Sequence, residues 1–229
     1  MTVLDTIHGR LVVSCQADPG EPLDDPAHMV ALARSALRGG AAGIRAQGLP
    51  DLRALRAALP DTPLIGLVKH GGSGVYITPT LAHADAVAAT GVDVVALDGT
   101  RRPRPDGRTL AETVTELRRR HPRVLVMADV ADAADAYEAV AAGVDLVGTT
   151  LSGYTGGAVP HDPDLALIAT LAGALPVPVV AEGRINTPDE AAAALRHGAH
   201  AVVVGTAITR PAVVTARFAA ALVTDREMS

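Results

Sequence analysis

Ala89-Thr90-Gly91-Val92-Asp93-Val94 and Ala141-Ala142-Gly143-Val144-Asp145-Leu146 are near copies of each other, 52 residues apart. Each reads as a helix tail, a glycine that ends the helix in the left-handed conformation, and the first residues of an apolar strand. Gly40 and Gly198 extend the series, with spacings of 51, 52 and 55 residues between successive glycines. The links between these carry proline instead: Pro60 and Pro63, Pro122, and Pro176 with Pro178. The pattern is a double strand–helix unit repeated four times.

The eight expected strands are Leu11–Cys15, Gly43–Ala46, Leu64–Lys69, Val94–Asp98, Val124–Asp129, Leu146–Thr150, Val177–Glu182 and Ala201–Gly205. They are continuous apolar runs, as parallel strands covered by helices require. Helices are expected near 27–38, 51–59, 80–90, 109–120, 132–142, 163–173, 188–197 and 211–223. Thr187-Pro188-Asp189-Glu190 and Thr109-Leu110-Ala111-Glu112 read as capping boxes. Asp25-Pro26 and Asp162-Pro163 read as Asp caps followed by proline at the first helical position. Strict alternation predicts an α/β fold, a single-domain (β/α)8 TIM barrel spanning residues 1–229.

Composition narrows the function. The net charge is −5, and the only aromatic residues are Tyr76, Tyr137, Tyr154 and Phe218, which argues against a nucleic-acid partner. The longest uncharged stretch, Leu165 to Ala181, contains Gly173, Pro176 and Pro178 and is short for a membrane span, so no membrane association is expected. One cysteine, Cys15, and no signal-peptide pattern fit a cytoplasmic protein, and Cys15 reads as a core thiol. The scattered histidines give no metal site, and no cofactor is called for. Of the 20 basic residues, 19 are arginine and one is lysine, Lys69. A lysine amine can shed its proton in a suitable site, whereas a guanidinium cannot.

Barrel enzymes carry their chemistry at the C-terminal ends of the strands. Those ends hold Gln16, Arg45, Lys69, Asp98, Asp129, Thr149-Thr150, Glu182 and Gly205-Thr206. Strands three and seven face each other across an eight-stranded mouth, so Lys69 and Glu182 approach a ligand from opposite sides. Two proton-transfer groups on opposite faces of one carbon suit an epimerase or racemase. The bland alternative is a Lys69–Glu182 salt bridge that stiffens the interior. Gly183-Arg184 and Gly205-Thr206, after strands seven and eight, form a candidate phosphate cup. Thr206 to Thr209 is a candidate short extra helix there, with Arg184 and Arg210 as charged contacts. Gly71-Gly72-Ser73-Gly74 lacks the lysine of a P-loop and reads as a lid or turn. Arg101 to Pro105 reads as a solvated loop or a cap over the pocket, and Asp98 as a hydroxyl ligand.

Further motifs run in order along the chain: Val13-Ser14-Cys15-Gln16-Ala17, Gly43-Ile44-Arg45-Ala46, Ile77-Thr78-Pro79-Thr80, Ala96-Leu97-Asp98, Arg102-Pro103-Arg104-Pro105-Asp106-Gly107, Met127-Ala128-Asp129, Thr149-Thr150-Leu151-Ser152-Gly153-Tyr154-Thr155, Ala181-Glu182-Gly183-Arg184-Ile185-Asn186-Thr187-Pro188 and Ile208-Thr209-Arg210-Pro211. With these the chain resembles the bacterial N-acetylmannosamine-6-phosphate 2-epimerases over nearly its whole length. The resemblance implies interconversion of N-acetylmannosamine 6-phosphate and N-acetylglucosamine 6-phosphate, in sialic acid and amino-sugar catabolism. It puts the catalytic base on Lys69, an assisting glutamate on Glu182, a further catalytic residue on Asp129, and the arginine after strand two on Arg45. Gln16, Asp98 and Tyr154 join Arg45 as expected substrate contacts, and Gly183, Arg184, Gly205, Thr206 and Arg210 as phosphate contacts. The segment from Lys69 to Val75 is shorter and more glycine-rich than the family pattern. Two rivals stand beside this reading: a Schiff-base lysine aldolase on a sugar phosphate, and a catalytically silent sugar-phosphate binder. The expected partner is a small sugar phosphate. A homodimer is a candidate assembly through the apolar last helix and Phe218, with ordinary core packing of that helix as the alternative.

Overall fold

Asp93 and Asp145, the acids of the repeated segments, do the same job twice. The Asp93 carboxylate accepts from the Leu64 N–H at 2.8 Å and pairs with Arg56 at 2.6 Å. The Asp145 carboxylate accepts from the Val126 N–H at 2.8 Å and pairs with Arg118 at 2.9 Å. Arg56 and Arg118 also donate to the carbonyls of Gly91 and Gly143. Gly91 and Gly143 have φ of +86° and +88°, the left-handed helix stop that side chains disfavour. The repeat is therefore a brace that ties the third strand to the fourth and the fifth to the sixth near their starts.

The computed structural model describes residues 2–227. The expected 1–229 domain thus runs past the described residues at both ends. The strands are β1 (Leu11–Cys15), β2 (Gly43–Gln47), β3 (Leu64–Leu67), β4 (Val94–Asp98), β5 (Leu125–Asp129), β6 (Leu146–Gly148), β7 (Val179–Glu182) and β8 (Ala201–Val204). All pair in parallel in sequence order, and β1 closes on β8 through Leu11 with Val202, Val12 with Val203 and Val13 with Val204. The predicted barrel is the observed fold. Outside it lie α2 (Pro26–Arg38), α3 (Leu49–Ala58), α4 (Leu81–Ala88), α5 (Leu110–Arg120), α6 (Ala133–Ala141), α7 (Leu165–Ala174), α8 (Pro188–Arg196) and α10 (Pro211–Glu227). The boxes at Thr109 and Thr187 and the Asp25 cap form as expected.

Two helices add to the expected eight. Helix α1 (Val3–Ile7) starts from a Thr2–Asp5 capping box and plugs the floor of the barrel with Ile7, which is fully buried. Helix α9 (Thr206–Thr209) is the short helix anticipated after β8. The Asp162-Pro163 cap is a correction. The chain instead caps α7 with Asp164, whose carboxylate accepts from the Leu167 N–H, while Asp162 bonds to His161 at the surface. Phe218 is also a correction to core packing: it is 71% exposed on α10, and Leu222 is 70% exposed.

A two-residue alternation runs through the strands and sorts side chains between the barrel interior and the helix-facing side. Val12, Ile65, Leu67, Val94, Ala96, Met127, Leu146, Val180, Ala201 and Val203 fill the barrel interior with Ile7. Val13, Cys15, Ile44, Ala46, Leu64, Val95, Leu97, Val126 and Ala128 face the helices. Continuing the inward parity one step past the apolar layers reaches Ser14, Arg45, Lys69, Asp98, Asp129 and Glu182. Cys15 falls on the outward parity, where burial pushes its thiol up to about 12, so it is an inert core group.

Strand β3 stops two residues before its expected end. Beyond Leu67 the chain doubles back, and Val75–Thr78 wedges between β3 and β4. Lys69 and Ile77 form an antiparallel bridge, with His70 N–H to Tyr76 carbonyl at 2.9 Å and Thr78 N–H to Val68 carbonyl at 2.7 Å. The Asp98 N–H completes the wedge by donating to the Ile77 carbonyl at 2.9 Å. Lys69 is thus fixed by a local hairpin rather than by the barrel ladder.

Candidate active site

The strand ends open into a cleft of about 980 Å³. Its floor is an ionic network. Arg45, 1% exposed, donates to both oxygens of the Asp129 carboxylate at 3.1 and 2.7 Å and pairs with Glu182 at 3.1 Å. The Thr150 hydroxyl donates to Asp129 at 2.6 Å and lies 3.3 Å from Glu182. The Thr149 hydroxyl accepts the Glu182 N–H and donates to the Glu182 carbonyl, which holds the end of β7. Gly148 beneath them allows this packing, because a Cβ there would lie 2.2 Å from the Met127 methyl.

Lys69 lines the same cleft and makes no ion pair or side-chain hydrogen bond among the described residues. The bland salt bridge does not form, since Glu182 is paired with Arg45 instead. Burial draws the Lys69 ammonium below the usual lysine range, opposed by Asp18 and Glu182 and reinforced by Arg45 and Arg210. Burial pushes the Glu182 carboxyl up to about 7, with Asp129 adding to it and Arg45, Thr150 and Lys69 opposing. Both groups move toward their neutral forms, an amine that can accept a proton and an acid that can give one.

At the β7–β8 side the cleft is lined by Gly183, Arg184, Gly205, Thr206 and Arg210. Arg184 is spent partly on the fold. It donates to the carbonyls of Asp162 and Ser152 and lies over the Tyr154 ring at 5.6 Å. No carboxylate neutralises it among the described ion pairs. Arg210 is held by Asp18 at 2.5 Å and Glu21 at 2.6 Å, which ties the loop after β1 to the loop after β8. Gln16 faces the cleft with its amide donating to Ser14 at 2.8 Å.

Two predicted residues are not at the cleft surface. Asp98 is fully buried, its carboxylate taken by Thr100 and, at 2.7 Å, by Arg102. The Arg101–Pro105 loop lines a separate cleft of about 540 Å³ beside α5 and α6, so it does not cap the site. Asp129 is fully buried and bound to Arg45 at 2.7 Å. Conversely, the cleft gains Ser14, Tyr76, Thr150, Asn186 and Arg217. Ser14 and Thr150 sit at strand ends and were open to the same reading as their neighbours. Arg217 reaches in from α10 and bonds to Asn186 at 2.8 Å, a contact that no strand-end pattern announces.

Residues 29–224 match the family described as "Putative N-acetylmannosamine-6-phosphate epimerase". The chain belongs to this family. A relative from Cutibacterium acnes is 52% identical over 223 residues, covering 96% of each chain, and one from Enterobacter is 47% identical with the same coverage. Both carry the corresponding 2-epimerase description. A solved structure of the N-acetylmannosamine-6-phosphate 2-epimerase from Clostridium perfringens superposes with a TM-score of 0.91 at 40% identity, covering 96% of each chain. A thiamine phosphate pyrophosphorylase from Pyrococcus furiosus, at 21% identity and a TM-score of 0.63, shares the fold. Within the epimerase family, neither the aldolase nor the silent binder is the favoured reading. Among the described residues no helix is long and apolar enough to cross a membrane, and no cluster of His, Cys, Asp or Glu could hold a metal ion.

Proposed function

We propose that this epimerase-family chain interconverts N-acetylmannosamine 6-phosphate and N-acetylglucosamine 6-phosphate, a step of sialic acid and amino-sugar catabolism. One observation carries the reading. Lys69, just past the end of β3, and Glu182, at the end of β7, line one mouth, and their environments push the lysine toward the free amine and the glutamate toward the acid. In the open-chain sugar the C2 hydrogen is α to the C1 aldehyde. The Lys69 amine takes that proton, the C2–H electron pair forms a C1–C2 double bond, and the carbonyl pair moves onto O1. Glu182 returns a proton to the opposite face of C2. Solvent then resets the ammonium and the carboxylate. Each step is a proton transfer between the sugar and a side chain, so none calls on a cofactor.

Asp129 is a positioning residue that fixes Arg45, and Arg45 in turn fixes Glu182. Gln16 and Tyr154 are the proposed sugar contacts. Gly183, Arg184, Gly205, Thr206 and Arg210 are the proposed phosphate contacts, and Arg217 adds a cation there. Holding the phosphate at one end sets the register of C2 between the two proton-transfer groups. The phosphorylated substrate and a single buried thiol suit the cytoplasm. The exposed Phe218 and Leu222 on α10 support a homodimer.

The test is an NMR time course on N-acetylmannosamine 6-phosphate in D2O. Conversion to the second epimer with deuterium at C2 is expected, and no conversion overturns the reading. Lys69→Arg keeps a cation but should reduce turnover by roughly 10³-fold or more, because a guanidinium stays protonated. Substantial turnover in that variant would rule Lys69 out as the base.

A further inference from the structure

Proton abstraction at C2 leaves a negative charge on O1, and the barrier depends on what faces that oxygen. The obvious cation is poorly placed for the task. Arg45 already faces two carboxylates, with Asp129 bound at both oxygens and Glu182 at 3.1 Å. Other donors on the cleft floor are partly committed, and the one unpartnered Arg45 nitrogen, Nε, is sealed from solvent. The Thr150 hydroxyl donates to Asp129, and the Gln16 amide donates to Ser14. The Ser14 hydroxyl lies against Gly205, on the phosphate side of the mouth.

Tyr76 is different. It sits in the wedge between β3 and β4, next to Ile77, whose partner across the bridge is Lys69. Its carbonyl is fixed by the His70 N–H, and its ring packs on the barrel-interior core. The residue lines the cleft, and its hydroxyl has no hydrogen-bond partner among the described residues and is not sealed from solvent. Burial, then the carboxylates of Asp129 and Asp98, push the phenol above its ordinary value, so it stays a neutral donor through the working pH range. Tyr154, the other tyrosine of the cleft, is 45% exposed at the rim beneath Arg184 and is too far out for this task.

The geometry points to Tyr76 as a further catalytic residue, whose hydroxyl donates a hydrogen bond to O1 of the sugar as the enolate forms. This rests on the epimerase reading above. No proton leaves the phenol: the C2 proton goes to Lys69, the electron pair ends on O1, and Tyr76 only stabilises it. An unpartnered hydroxyl contributes nothing to the fold, so its removal separates catalysis from stability.

Tyr76→Phe is compared with the parent on N-acetylmannosamine 6-phosphate in D2O, reading kcat, KM, C2 deuterium uptake and the melting midpoint. The expected variant melts within about 2 °C of the parent. Its kcat falls roughly 10²-fold with KM little changed, and deuterium uptake falls by the same factor, because both processes cross the enolate. Normal parent turnover with a variant kcat within about twofold overturns the Tyr76 role alone. A rise in KM without loss of kcat, or a lowered melting midpoint that accounts for the loss, also overturns it. A parent that does not turn over removes the epimerase reading and this role together.

Discussion

Glu182 lies beside a guanidinium, a buried carboxylate and a lysine, and burial decides its state. Its carboxyl rises from 4.5 to about 7, so between those values the folded chain holds a proton that the unfolded chain has lost. Stability from this group is complete below pH 4.5 and is lost as the pH rises through 7. Glu182→Gln should remove that decline, measurable as a flatter dependence of the melting midpoint on pH between 4.5 and 7. The same variant should abolish epimerisation while still exchanging the C2 hydrogen of one epimer, because Lys69 remains and the return proton on the far face does not. Equal loss of exchange from both epimers would count against separate acid and base. Legibility at this scale was uneven. Lys69 and Glu182 stood out by residue type and strand-end position. Asp98 had the same credentials, but its lone pairs are consumed by Thr100 and Arg102, and consumption of that kind depends on where neighbouring loops fold.

At the scale of elements, short pieces of chain set the geometry of the site. The β3–β4 wedge of Val75–Thr78 extends the sheet locally and fixes Lys69 opposite Ile77 and Tyr76 opposite His70. At the other end α1 closes the barrel, held by its capping box, by His200 donating to the Leu4 carbonyl at 3.0 Å, and by the Gly9 N–H on the His200 carbonyl at 2.7 Å. A five-residue helix is not stable by itself, so α1 persists through Ile7 and these ties. Ile7→Ala should destabilise the chain by about 2–5 kcal/mol, read by denaturant unfolding, with kcat little changed because the floor lies opposite the mouth. A fall in kcat at unchanged stability would contradict the plug role. The eight outer helices were legible from caps and apolar runs. Helix α1 was not, because five residues carry too little periodicity to register.

Over the whole molecule, α10 carries the two most exposed large apolar side chains among the described residues. It packs mainly against α9, and it exposes Phe218 and Leu222 while sending Arg217 into the cleft. Phe218 and Leu222, one turn apart, are where the proposed homodimer would associate. Phe218→Asp should convert a dimer into a monomer in sedimentation velocity. A parent chain that sediments as a monomer would remove the dimer proposal.

The sequence by itself determined the barrel, since the glycine spacing, the alternating proline and glycine links and the eight apolar runs leave little other way to bury the strands. It also pointed to the epimerase reaction, through the ordered motifs that resemble that family and a single lysine at a strand end, where the proposed base sits. The tertiary structure decided which strand-end polar groups are free to act. Arg45 is held by Asp129, Asp98 is spent, and Lys69, Tyr76 and the Glu182 carboxyl line the cleft. The physical reason is that a side chain's chemical availability depends on its partners and its burial, and these come from residues far away in the chain.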